Sequence, residues 1–128
     1  MDHKKLGAFG EKLACEYLVN KGYDILGKNC RNHFGEIDII AKKKGLFSEK
    51  PIHFVEVKTS LSGNDNFSPE DRVDFKKQKK LIRLADFWLQ NNEYPNDCPY
   101  QIDVISVIVD NIKKKAKIKI FYNIAKER

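Results

Sequence analysis

Neither a long apolar run nor a paired set of cysteines occurs anywhere in the 128 residues. Without about 18 consecutive apolar residues there is no candidate membrane helix. The opening MDHKKLGAFGEKLACEYL sets charges among its apolar positions, so it does not read as a secretory leader either. Cys15, Cys30 and Cys98 are odd in number and form no C-x-x-C pair. That argues against a disulfide framework or a structural zinc site and leaves free, mostly buried thiols. Together these absences point to the cytoplasm. Internal repeats, low-complexity tracts and dividing linkers are also missing, so residues 1–128 read as a single domain. A domain of this length buries roughly 65–70% of its unfolded surface and can build a core without staples.

Basic residues exceed acidic ones, 24 Lys+Arg against 18 Asp+Glu, for a formal net charge of +6. Lysines cluster at Lys42–Lys44, at Lys76, Lys77, Lys79 and Lys80, and from Lys113 to Lys119. Each run alone is an ordinary solvated turn or face. Three in one small domain favour a polyanionic partner such as nucleic acid.

Apolar spacing at Leu6, Phe9, Leu13, Tyr17 and Leu18 predicts a helix from Leu6 to Lys21, closed by Gly22. A short strand from Tyr23 to Lys28, an extended piece and turn to Gly35, and strands Glu36–Ala41 and Ile52–Thr59 follow. Ser68 with Pro69 and two acids reads as the cap of a second helix, whose apolar stripe is Leu81, Leu84, Ala85, Trp88 and Leu89. Tyr100–Val109 reads as a long buried strand. Lys117–Tyr122, with alternating Lys and Ile, reads as an edge strand. The order is αβββαββ.

Two of these strands carry charge where a core face wants hydrocarbon. Alternation puts Ile52, Phe54, Glu56 and Lys58 on one face of their strand, and Asp38 with Ile40 opposite Ile37 and Ile39 on the other. A buried acid is costly unless it is paired, hydrogen-bonded or bound to metal. One reading is that these positions reach water at strand ends, with Glu56 and Lys58 as a weak surface pair. The other treats residues 42–51 as a hairpin connection, so that Asp38 and Glu56 converge on one cation. Mg²⁺, with Mn²⁺ as an alternative, prefers oxygen ligands at about 2.0–2.1 Å and takes one or two carboxylates plus phosphate and water. Asp38, Glu56 and the backbone carbonyl of Val57 would make half such a shell. Lys58 would face the bound phosphate, placing it to position or deprotonate an attacking water.

This D…E-x-K set resembles the signature of the restriction-endonuclease-like, or PD-(D/E)XK, superfamily. The ordered set Gly10-Glu11, Gly35-Glu36-Ile37-Asp38, Glu56-Val57-Lys58 and Lys77-Gln78 looks like the YraN-like family of small bacterial proteins, across about Gly7 to Val109. The resemblance implies a mixed central β-sheet of about five strands flanked by helices, similar to archaeal Holliday junction resolvases. It implies that Glu11 assists Asp38, Glu56 and Lys58 in catalysis, and that Lys77 and Gln78 meet nucleic acid. Ile37 replaces the name-giving Pro, which is not a ligand. Ser60 stands where an Arg often follows the E-x-K strand, and Arg31 could supply that phosphate contact instead. Asp103 matches an Asp of the family's late strand and reads as structural. His53 faces away from Glu56, His33 reads as a solvated turn residue, and Phe34, Phe67 and Tyr100 read as satellite core more readily than as base-stacking residues.

The expected function is a Mg²⁺-dependent endonuclease acting on branched or damaged DNA. The alternatives are a non-cleaving nucleic-acid-binding module of the same fold, or an assembly factor using its exposed edge strand. One site per chain means that symmetric cutting of two strands would need a homodimer or two separate events.

Overall fold

A computed structural model describes residues 2–45, 50–63 and 73–125. The elements are α1 (His3–Asn20), β1 (Tyr23–Asn32), β2 (Gly35–Lys43), β3 (Ile52–Leu61), α2 (Phe75–Asn91), β4 (Tyr100–Asp110) and β5 (Lys115–Phe121). The order is the expected αβββαββ. The strands form one mixed sheet in the order β1-β2-β3-β4-β5, with β3 and β4 parallel and every other pair antiparallel. That is consistent with the nuclease-like fold implied by the resemblance.

Asp2 caps α1 by accepting the Lys5 N–H at 2.8 Å. The helix ends where Gly22 takes a φ of 93°, a left-handed conformation that favours glycine. Phe9, expected on its apolar stripe, lies at the rim, while the buried seam is Leu6, Gly10, Ala14 and Leu18. The small residues let the helix axis approach the sheet closely. A Cβ at Gly10 would collide with the side chain of Thr59 on β3.

The piece after Lys28, expected as a separate segment, continues β1, and the register shifts between Ile25 and Gly27. The second helix is capped by Asp74, which accepts the Lys77 N–H at 2.8 Å. Ser68–Asp71, the expected cap, and Phe67 lie outside the described residues.

Both sheet faces are covered, which is why the central strands read as nearly continuous hydrocarbon. On the α2 side Ile37, Ile40, Ile52, Phe54, Ile102 and Val104 pack beneath Leu81, Leu84, Ala85 and Leu89. On the α1 side Ile39, Ala41, Val55, Ile105 and Val107 pack beneath Leu6, Ala14 and Leu18. Alternation breaks at one point. Ile37 joins Ile40 on the α2 side instead of sharing the α1 side with Ile39, so the expected face assignment fails at Asp38. The irregularity coincides with Asn29 on the neighbouring strand, whose φ of 49° is left-handed. Strand β5 is the expected edge, turning Lys115, Lys117 and Lys119 to solvent while Ile118 and Ile120 pack on the α1-side core.

All three cysteines are free and half-buried, and burial pushes each thiol above its ordinary range. No described helix is long and apolar enough to cross a membrane.

Gly10→Ala is expected to destabilise the fold by about 1–3 kcal/mol, the usual cost of overpacking a tight contact. Urea denaturation measures it. Gly10→Ala combined with Thr59→Ala, which removes the two side-chain atoms nearest the new methyl, should recover part of the loss.

Candidate active site

The β2–β3 ladder pairs Lys42 with Ile52 through to Ile39 with Val55, and there it stops. The next opposed residues in that register are Asp38 and Glu56. In place of a ladder bond, the Val57 N–H donates to Asp38 Oδ2 at 2.7 Å. In a strand the N–H and C=O of one residue point to the same neighbour. The Val57 carbonyl therefore points out of the same edge of β3, toward the gap where β2 has turned away.

Glu56 is only 7% exposed. Its Oε2 lies 2.6 Å from Lys77 Nζ on α2 and 3.5 Å from Lys58 Nζ on its own strand. Two ammonium groups thus flank one buried carboxylate oxygen. Burial pulls the Lys58 pKa down; Glu56 opposes this and the neighbouring Lys77 charge adds to it. Burial also works against the Lys77 charge, but its hydrogen bond and attraction to Glu56 prevail and leave its pKa raised.

Asp38 has less support. Burial, then repulsion from Glu56, push its carboxyl up to about 7; the Val57 N–H pulls it down, while a hydrogen bond shared with Glu56 and the more distant Glu11 push it up. Asp38 and Glu56 are thus close enough to compete for one proton or one cation. Glu11 on α1 enters from the other side of the sheet. It lines, with Asp38, Lys12, Cys15, Lys28 and Asn29, a cleft of about 390 Å³ between α1 and β1.

The other sequence-derived candidates lie apart from this group. Arg31 is exposed on the β1–β2 hairpin, where Nη2 and Nε both reach Glu36 Oε2, at 2.8 and 3.3 Å. Gln78 turns its Nε2 to the Val73 carbonyl at 3.0 Å, closing the entry to α2. His53 faces away from Glu56, and its Nδ1 lies 2.6 Å from Asp103 Oδ2. Asp103 Oδ1 also accepts from Gln101 Nε2 at 2.9 Å and from the Asn123 N–H at 2.8 Å. Asp103 is a buried, fully hydrogen-bonded structural carboxylate; besides Gln101 on its own strand, its partners lie on β3 and after β5, which sequence spacing could not indicate. Lys12 and Lys28, beside Glu11 and Asp38, were also missed, because neither stands in a lysine run.

The donor set suits a hard cation. Two carboxylates and a backbone carbonyl meet at one break in the sheet, and Asp38 has a single backbone donor with a second acid beside it. Among the described residues no three His, Cys, Asp or Glu side chains form a metal cage. Two carboxylates with water and substrate phosphate making up the rest is the habit of Mg²⁺.

A model of the family described as "Uncharacterised protein family UPF0102" matches residues 10–107. The chain belongs to family UPF0102. This is the YraN-like family that its motifs resemble. A UPF0102 protein of Clostridium botulinum (strain Loch Maree / Type A3) is 37% identical over 121 residues, covering 94% of each chain. A UPF0102 protein of Caldicellulosiruptor bescii is 38% identical over 120 residues, covering 94% of this chain and 96% of that one. Among solved structures, SfsA of Pyrococcus furiosus in complex with Ca²⁺ matches with a TM-score of 0.38 and 15% identity, over 94% of this chain and 62% of that one.

The Asp38 shift has a measurable sign. Its carboxyl moves from an ordinary 3.8 to about 7 on folding. Between those values the folded chain holds a proton that the unfolded chain releases, so metal-free stability falls as pH rises through this window. Asp38→Asn keeps an acceptor for the Val57 N–H and removes the half-buried charge. In EDTA the substitution should raise the melting temperature more at pH 8 than at pH 5. An equal effect at both would place the carboxyl near its ordinary value.

Proposed function

We propose that this protein is a metal-dependent endonuclease that hydrolyses phosphodiester bonds in DNA. The observation that carries the reading is the break between β2 and β3, where Asp38, Glu56 and the Val57 carbonyl converge beside two ammonium groups. A purely structural ion pair would need only one acid and one base.

Asp38 and Glu56, with the Val57 carbonyl, would hold the cation. The chemistry a bound Mg²⁺ supplies is neutralisation of phosphate charge and activation of water. The protein's own groups do the rest. Lys58 projects from the face that carries Glu56, and its lowered pKa brings it closer to the range in which an amine exchanges a proton with water. It is the residue to orient the attacking water and take its proton. Lys77 bonds Glu56 and can transfer its ammonium to a substrate phosphate once another cation compensates that carboxylate. Glu11, on the far side of Asp38, can hold a water by hydrogen bond. The net charge of +6 draws the polyanion to the surface.

A second reading has its own support. The 2.6 Å contact between Lys77 and Glu56 already compensates one carboxylate, as a non-cleaving nucleic-acid-binding module would require.

Incubation with branched, single-stranded and duplex DNA in Mg²⁺ or Mn²⁺ separates the two. Cleavage is expected to need the cation, to vanish in Asp38→Asn, and to fall about 10²–10⁴-fold in Lys58→Ala, the usual contribution of a general acid or base. Cleavage unchanged in both variants would sink the site. No cleavage by the parent, together with tighter DNA binding by Asp38→Asn, would establish the binding module.

A further inference from the structure

The lysines of α2 continue away from the site along one line. Lys76, Lys80, Arg83 and Phe87 stand at i, i+4, i+7 and i+11, a single stripe on a helix. The three basic residues are exposed. The stripe begins beside Lys77 and runs roughly 16 Å to Phe87 at 1.5 Å per residue, several nucleotide steps.

Its far end is aromatic. The β1–β2 hairpin lies against α2 there, with Asn32 Nδ2 donating to the Leu84 carbonyl at 3.5 Å and the site of a Gly35 Cβ 3.5 Å from Lys80 Cε. This brings His33 to within 4.8 Å of both Phe34 and Phe87 by ring centroids, with Phe34 and Phe87 5.9 Å apart. Phe34 also packs on the α2-side core, whereas Phe87 belongs to neither core cluster. His33 is exposed. The ring trio is therefore not explained as core alone. Phe34 and Phe87 are half-buried beside the exposed His33, at the end of a basic track.

We propose that this track binds an unpaired DNA arm, with its phosphates on Lys76, Lys80 and Arg83 and a base stacked on the His33–Phe87 platform, so that the preferred substrate carries a single-stranded branch. The inference rests on the nucleic-acid reading of the neighbouring site. Lysine and arginine along a helix attract duplex and single strand alike. The aromatic end decides between them, because base faces within a duplex are already stacked, whereas an unpaired base can stack on a ring with little regard to sequence.

Fluorescence anisotropy in EDTA tests this without requiring turnover, using the full chain, a blunt duplex and the same duplex with a single-stranded fork. The fork should bind at least about five-fold tighter, the smallest effect expected of one stacked base. A 2-aminopurine in the arm should be quenched on binding. His33→Ala with Phe87→Leu should abolish both the preference and the quenching, with an unchanged circular dichroism spectrum confirming the fold. Lys80→Ala should weaken fork binding and reduce its salt slope by about one. Equal binding of fork and blunt duplex, or a fork preference unchanged in the double variant, would overturn the proposal. Fork preference without cleavage in Mg²⁺ would support the arm track and count against only the nuclease. Cleavage without fork preference would reject only the arm track.

Discussion

The hydrogen bond from the Val57 N–H to Asp38 holds the candidate site open. Continued pairing of β2 with β3 would place two acids opposite one another with no room between them. Instead β2 pairs with β3 only from Ile39 onward, and the side-chain carboxylate of Asp38, just before it, takes over the donor that the ladder leaves. One oxygen satisfies the backbone of β3 while the Asp38 carboxyl remains beside Glu56. The Val57 carbonyl, released by the same departure, becomes a third oxygen facing the gap.

Both helices are positioned by what they lay on the sheet. The Gly10–Ala14 seam brings α1 close enough for Glu11 to line the cleft with Asp38. A bulkier seam would lift Glu11 away from it. The parallel pairing of β3 with β4 requires a crossover, and α2 lies within that connection, with its first turn beside Glu56. Asp74 fixes that first turn by capping at Lys77, the residue whose ammonium reaches Glu56. Cap and site contact therefore share one residue, so the start of the helix and the charge balance of the site are set together.

Much of this was legible in the residues. The period-2 pattern of β3 placed Glu56 with Phe54 and Lys58, and the hairpin connection set Asp38 opposite Glu56. The family motifs added Glu11 and picked Lys77 out of its lysine run. What could not be read depended on distant or irregular backbone. Strict alternation failed at Asp38 because of a local distortion, and periodicity carries no sign of one. The Asp74 cap of α2 was not singled out, because a lone Asp ahead of a basic stretch carries no distinctive start pattern. The buried seam of α1 was drawn through Phe9 because composition favours large apolar residues, whereas contact with Thr59 selects glycine.

Two kinds of buried carboxylate in this one sheet show how structural and chemical acids differ. Asp103 receives a ring nitrogen, a side-chain amide and a backbone N–H, so its two oxygens are satisfied by partners that ordinary motion does not remove. Its burial at 2% exposure is compensated within the fold. Asp38 has one backbone donor and, beside it, another acid, and its carboxyl is pushed up to about 7 chiefly by burial and that acid. Glu56 is compensated by lysine side chains, one of them on α2 and partly exposed. A carboxylate supported by fixed donors is inert, because nothing it could bind would improve its position. A pair with one fixed donor and movable counter-charges is the arrangement on which the proposed cation site rests. That difference in compensation, more than burial itself, separates the site at the β2–β3 break from the polar cluster around Asp103.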